Sequence, residues 1–237
     1  MCQDCGCGDP EVVPVKVQQK ILARNDRTAA HNRDHFLGDG ILAINLMGSP
    51  GAGKTAVLEA TARALPNPKK VAALAGDLAT ENDANRITAA GIRSKAITTG
   101  QACHLDAELV HRAVHHFDLD GVEYLFIENV GNLVCPAVYD LGQAFNVVAL
   151  SITEGEDKPL KYPTMFAKAD LVLLTKADLL PHLPFVDVDK ITDALARVMP
   201  NPRVISVSAQ TGFGIEAWIR WLATVRTNAL EKFEVYA

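Results

Sequence analysis

The 237-residue chain reads as an α/β fold, a mainly parallel sheet with helices on both faces, preceded by a flexible N-terminal arm. Three observations predict this. Short runs dense in Val, Ile and Leu recur at 41–47, 71–75, 124–127, 147–152, 171–174 and 204–207, separated by longer amphipathic stretches. Strands apolar on both sides belong to a parallel sheet covered by helices, because a strand with one wet face alternates instead. A glycine-rich loop joins the first run to the first helical stretch at 56–64. Finally, Cys2, Cys5 and Cys7 crowd a start rich in glycine and proline, with too little apolar material to pack.

Taken in order, 1–14 is the arm. Residues 15–36 are polar with apolar points at Val17, Ile21, Leu22 and Phe36, which predicts a peripheral helix; Gly38 and Gly40 break it, so 15–40 forms the connection. One domain then runs from 41 to 237, because no linker, repeat or low-complexity block divides it. A further strand is expected at 96–98, a local loop at 181–184 and a closing helix at 217–229 with Trp218, Ile219 and Leu222 inward.

Composition narrows the function. With 49% hydrophobic and 22% charged residues, the chain is globular and neither disordered nor disulfide-scaffolded. A net charge of −5 gives no electrostatic footprint for nucleic acid or an anionic membrane. No apolar h-region follows the start and no run reaches the roughly 18 apolar residues of a span, so the expected compartment is cytoplasmic and reducing. There, clustered cysteines point to metal or redox chemistry before disulfides.

Gly48-Ser49-Pro50-Gly51-Ala52-Gly53-Lys54-Thr55 fits G-x-x-x-x-G-K-[ST] between a strand and a helix, which makes the fold class a P-loop NTPase. Glycine conformations turn successive N–H groups, through Ala56, toward phosphate, and the helix dipole adds to anion binding. Lys54 reaches the β- and γ-phosphates, and the Thr55 hydroxyl binds Mg²⁺.

Thr175-Lys176-Ala177-Asp178 ends a strand one residue away from N-K-x-D. A carboxylate at Asp178 can accept from guanine N1–H and the 2-amino group together, a donor pair adenine lacks, so GTP is expected over ATP. Thr175 departs from Asn, and its hydroxyl can keep part of the bracing role of the amide. Ser208-Ala209-Gln210-Thr211-Gly212 follows the last strand as an S-A-x-T-G base loop. Glu128-Asn129-Val130-Gly131 reads as an E-x-x-G switch, with a carboxylate toward Mg²⁺ and a glycine toward the γ-phosphate. Asp77, at a strand's carboxyl end, is a candidate for Mg²⁺ through water or for orienting the attacking water, or else a helix N-cap. No glutamine is evidently placed to position water, which predicts slow turnover.

Cys2-x-x-Cys5-x-Cys7 sets three thiolates in one loop, a donor set for a thiophilic ion. Zn²⁺ would want a fourth ligand, whereas the α-amine of Cys2, after loss of Met1, would make a planar set suited to Ni²⁺. A redox C-x-x-C is the alternative, although it usually opens a helix in a folded domain. Cys103-His104 and Cys135 each follow a predicted strand and can converge at one sheet edge. Buried cysteine is often only a small core residue. The proximity of Cys135 to Gly131 would tie a metal there to the phosphate-sensing loop. His111 and His115, at i and i+4, are further possible ligands or a solvated helix face.

These residues resemble the HypB/urease-accessory GTPase family of nickel-insertion proteins over 40–237 and the C-x-x-C-G-C arm. The carrying motifs are G-S-P-G-A-G-K-T, G-D-L-A-T-E-N-D-A-N-R-I from Gly76, C-H-L-D-A from Cys103, E-N-V-G-N-L-V-C-P from Glu128 and K-P-L-K-Y-P from Lys158. The resemblance implies nickel on Cys2, Cys5 and Cys7, and a weaker nickel or zinc site on Cys103, His104 and Cys135. It also implies a GTP-dependent homodimer, the zinc-binding nickel chaperone HypA as partner, and delivery to the hydrogenase large subunit precursor. The expected activity is hydrolysis of GTP to GDP and phosphate that controls nickel loading. A small-molecule kinase would share the phosphate loop but lack T-K-x-D and S-A-x-T-G. A storage protein would hold many ions per chain, and with a structural zinc at Cys103, His104 and Cys135 the domain would unfold on chelation.

Overall fold

Strands form at Leu42–Met47 (β1), Val71–Asp77 (β2), Arg93–Thr98 (β3), Tyr124–Glu128 (β4), Phe145–Ser151 (β5), Leu171–Thr175 (β6) and Val204–Ser206 (β7) in the computed structural model, which describes residues 15–78, 80–100 and 102–236. The helices are α1 (Val15–Gly38), α2 (Lys54–Ala64), α3 (Asn82–Ala89), α4 (Ala107–His115), α5 (Lys158–Lys161), α6 (Pro163–Ala167), α7 (Val188–Val198) and α8 (Ile215–Tyr236). The sheet order is β3-β2-β4-β1-β5-β6-β7 and its pairings are parallel. With β1 between β4 and β5, the carboxyl ends of all three open on the same edge. That edge is where an open parallel sheet binds ligands. The expected arm at 1–14, with Cys2, Cys5 and Cys7, lies outside the described residues.

Side-chain alternation along β1 divides the core. Leu42, Ile44 and Leu46 pack with Val57 and Leu58 of α2 and with Trp218 and Leu222 of α8. On the opposite face, Ala43 joins Phe36 of α1 and Val110 of α4, while Met47 joins Phe166 of α6 and Leu195 of α7. Trp218 is fully buried, and its indole N–H donates to the Thr61 hydroxyl at 2.9 Å, so the ring carries no unpaired donor into the core.

The polar helix α1 adds side-chain hydrogen bonds to the packing of its buried Ala29 and Phe36. Asn32, 1% exposed, donates to the carbonyls of Ala107 (2.9 Å) and Leu141 (3.1 Å). Arg33 Nη2 lies 2.7 Å from both carboxylate oxygens of Asp140, and its Nε donates to the Gln143 carbonyl at 3.2 Å. Gly142, at φ 91°, leaves room for this packing, since a Cβ there would come within 2.5 Å of Asn32 Cβ.

The strand expected at 96–98 begins earlier, at Arg93. It is an edge strand whose first residues are only half-buried, so Arg93 and Lys95 are tolerated and the run is not continuously apolar. Ile152 leaves β5 for a 3₁₀ turn capped by Ser151, and Pro181 sits inside another at Ala177–His182. The closing helix extends from Ile215 to Tyr236. Among the described residues, no helix is long and apolar enough to cross a membrane.

Candidate functional site

The loop after β1 is built for a backbone cradle. Gly48 has φ 146°, and a Cβ there would stand 2.4 Å from the Ala149 carbonyl oxygen, so a side chain is excluded by both conformation and space. Gly51 and Gly53 are also left-handed, and α2 starts directly at Lys54, with Thr55 and Ala56 in its first turn. The Lys54 ammonium is folded into the loop, donating to the carbonyls of Gly48 (3.3 Å) and Ser49 (3.1 Å). Burial lowers its pKa, opposed by the charges of Glu128, Asp83 and Glu154.

Oxygen donors gather on Thr55. Its hydroxyl lies 2.8 Å from Glu128 Oε1 and 3.0 Å from Asp83 Oδ1. A single hydroxyl proton cannot serve both carboxylates at once, so one contact needs a proton from the other side or a cation between the oxygens. Burial pushes Glu128 up to about 7, against the pull of Lys54 and Thr55, and its Oε2 is buried with no hydrogen-bond partner among the described residues. The Asp77 carboxylate accepts from the Leu78 amide at 2.6 Å and from the Thr80 hydroxyl, closing its own turn. Asp83, in the first turn of α3, takes the place on Thr55. It lies in the stretch G-D-L-A-T-E-N-D-A-N-R-I, but its contact with Thr55 spans 28 residues and arises from packing. Glu154 is a second residue outside the expected set: its Oε2 accepts from Ser49 Oγ at 2.5 Å and its Oε1 from the Ser151 amide at 2.9 Å.

The segment after β4 packs directly on the phosphate loop. A Cβ on Gly131 would lie 2.9 Å from Pro50 N, and Gly48 pairs with Asn132 in an isolated antiparallel bridge. Asn129 holds the strand end, donating to Asn45 Oδ1 at 3.1 Å and accepting from the Leu105 amide at 3.2 Å. Asn132 Nδ2 in turn donates to the Cys103 carbonyl at 3.3 Å. Cys103, His104 and Cys135 converge, their ligand atoms all within 4.8 Å of one another. The two sulfurs are 3.0 Å apart, and Cys103 Sγ is 3.8 Å from His104 Nδ1. The His104 ring stacks on Tyr139 at 4.0 Å, and burial lowers its pKa, which favours the neutral imidazole that a metal ligand needs.

At the other end of the loop, the Thr175 hydroxyl donates to the Ala52 carbonyl at 2.6 Å, bracing the end of β6 against the phosphate loop. Lys176 follows in the left-handed region at φ 60°, and Asp178 lies in the 3₁₀ turn Ala177–His182 that it opens. The Ala177 amide bonds to the Val207 carbonyl at 3.1 Å, joining this turn to the segment containing Ser208 and Ala209. Buried Ser208 accepts the Thr211 amide at 3.1 Å, and Arg63 donates to the Ala209 carbonyl at 2.8 Å.

The family described as CobW/HypB/UreG, nucleotide-binding domain, matches residues 42–206. The hydrogenase maturation factor HypB of Rhizobium leguminosarum bv. viciae is 52% identical over 208 residues, covering 88% of this chain and 69% of the relative. That of Escherichia coli (strain K12) is 47% identical over 212 residues, covering 90% and 73%. Among solved structures, HypB from Helicobacter pylori in complex with nickel aligns with a TM-score of 0.82 at 38% identity, covering 86% of this chain and 96% of that one.

Proposed function

The chain belongs to the HypB hydrogenase maturation factors of the CobW/HypB/UreG family, which are P-loop GTPases, and from that premise we propose that its GTP cycle governs nickel held by Cys103, His104 and Cys135. The observation that carries the reading is the continuous path from Gly48 through Asn132 to the Cys103 carbonyl.

In this reading, backbone N–H groups from Gly48 to Ala56 bind the phosphates of GTP or GDP, and Lys54 exchanges the Gly48 and Ser49 carbonyls for phosphate oxygens. Thr55, Glu128 and Asp83 present hard oxygen ligands, and Glu128 Oε2, with no hydrogen-bond partner among the described residues, suits a divalent cation such as Mg²⁺. Mg²⁺ there would neutralise charge developing on the phosphates. Asp77 has a share in this only through water, since its carboxylate is engaged in its own turn. Asp178 reads guanine, Thr175 and Lys176 shape that turn, and Ser208 and Ala209 close the base side.

Gly131 meets the γ-phosphate, so hydrolysis to GDP removes the contact that orders the segment 128–132. That segment carries the change to Cys103 and Cys135. Thiolates and neutral imidazole accept Ni²⁺ or Zn²⁺. Cys2, Cys5 and Cys7 supply a second, N-terminal nickel site. The GTP form dimerises, receives nickel with the help of HypA, and releases it for the hydrogenase large subunit precursor in the cytoplasm.

Ni²⁺ and Zn²⁺ titrations of the chain, of Cys2→Ala/Cys5→Ala and of Cys135→Ala, each with GDP and with a non-hydrolysable GTP analogue, test this. Each variant should lose one binding class, and only the class lost by Cys135→Ala should respond to nucleotide. A nucleotide response that persists in Cys135→Ala would refute the assignment.

A further inference from the structure

We propose that His31, His111 and His115 form a binding site for a divalent transition-metal ion where α1 meets α4, separate from the thiolate cluster. The ring centroids of His31 and His111 are 5.3 Å apart, and those of His111 and His115 are 6.4 Å apart. His111 and His115 stand one turn apart on α4, the spacing that places two side chains on the same helix face. His31 meets the His111 ring from α1. His116 adds a fourth ring, 5.0 Å from that of His115.

The hydrogen bonding of Asn32 separates this group from a chance gathering of surface histidines. Both donors of the buried Asn32 amide are committed, to the Ala107 carbonyl at 2.9 Å and the Leu141 carbonyl at 3.1 Å. That fixes the orientation of the amide and leaves Oδ1, an acceptor only, 3.1 Å from His111 Nδ1. His111 must therefore donate from Nδ1, and in the neutral ring the lone pair falls on Nε2. A histidine whose second nitrogen donates to an amide oxygen on a rigid element has the outer-shell arrangement of a metal ligand: fixed tautomer, fixed plane, raised basicity. His31 and His115 are exposed, so their rings can turn to bring a nitrogen to an ion held at His111 Nε2. His35, one turn beyond His31, has its Nδ1 3.3 Å from Asp39 and is left out of the set.

Nearby cations are already engaged. Arg112 pairs with Glu108 at 2.9 Å, and Lys95 Nζ donates to the Ala113 carbonyl at 3.0 Å. An all-imidazole set suits Ni²⁺, Zn²⁺ or Cu²⁺ and gives Mg²⁺ nothing to hold. The inference does not depend on the GTPase reading, because neither helix contributes a residue to the phosphate loop.

The test uses the full chain with its five cysteines changed to serine, so that no thiolate site competes. Ni²⁺ alone is titrated by calorimetry, and imidazole NMR signals are followed in parallel. One Ni²⁺ per chain should bind, and the signals of His31, His111 and His115 should broaden together ahead of His182. His31→Asn, at an exposed position, and His111→Gln should each weaken binding at least tenfold. Unchanged affinity in His31→Asn, or broadening of His182 at the same nickel concentration, would overturn the site. So would the absence of any uptake by the thiol-free chain when the unmodified chain binds nickel normally.

Discussion

Asn132 donates from Nδ2 to the carbonyl oxygen of Cys103 at 3.3 Å while its backbone bridges Gly48, so one residue touches the phosphate loop and the metal-ligating segment together. Its Oδ1 also accepts from the Val134 amide at 2.8 Å, which fixes the turn leading to Cys135. Asn132→Ala should keep GTP binding within a few fold and reduce the nucleotide dependence of nickel affinity. Loss of two hydrogen bonds of about 1 kcal/mol each sets the scale of the uncoupling. Nickel titrations in the GDP and GTP-analogue states check it.

Lys54 and Thr55 carry the phosphate chemistry. Lys54→Ala and Thr55→Ala should each lower GTP hydrolysis by about 10²-fold or more, the scale of removing one preorganised electrostatic contact. Thr55→Ala should also abolish the Mg²⁺ dependence of nucleotide binding. Phosphate-release assays across a Mg²⁺ series measure both.

Glu128 makes the nucleotide-free chain sensitive to pH. Its carboxyl is pushed up to about 7 by burial, so the folded chain holds a proton that the unfolded chain releases near the ordinary value of about 4.3. The stabilising contribution is therefore whole below about pH 4.3 and erodes as pH rises through about 7. Glu128→Gln, neutral throughout, should remove this decline and melt higher than the parent at pH 8 without nucleotide. Binding of Mg²⁺ with GTP should release a proton near pH 7 from the parent but not from the variant. Thermal melts over pH and calorimetry in buffers of different ionisation enthalpy read the two effects.

Thr175 links the base turn to the phosphate loop through its 2.6 Å hydrogen bond to the Ala52 carbonyl. Thr175→Ala leaves a buried acceptor unpaired, at a cost of about 1–3 kcal/mol. The melting temperature and GDP affinity should both fall, whereas Thr175→Ser should restore most of each. Equal GDP affinity in the alanine and serine variants would contradict the bracing role.

The strand positions are legible where burial is complete: β1, β4 and β6 are buried along their whole length and apolar but for Asn45, Glu128 and Thr175, because helices cover both their faces. At the sheet edge the signal fails, and Arg93 and Lys95 conceal the start of β3. The phosphate loop is legible because its chemistry needs a fixed run of residue types. Asp83 and Glu154 are not, since their contacts with Thr55 and Ser49 span 28 and 105 residues and arise only from packing. The convergence of Cys103 and Cys135 was accessible from their positions after strands, whereas the Asn132 connection between them and Gly48 required coordinates. The cysteines of the arm stand on spacing alone.

The central claim is that the nucleotide sets metal affinity at Cys103, His104 and Cys135. Calorimetric titration of Ni²⁺ into Cys2→Ala/Cys5→Ala, loaded in turn with GDP and with a non-hydrolysable GTP analogue, isolates that site. The account predicts affinities differing at least fivefold between the two states, with the difference lost in Asn132→Ala. Equal affinities in both states would contradict it.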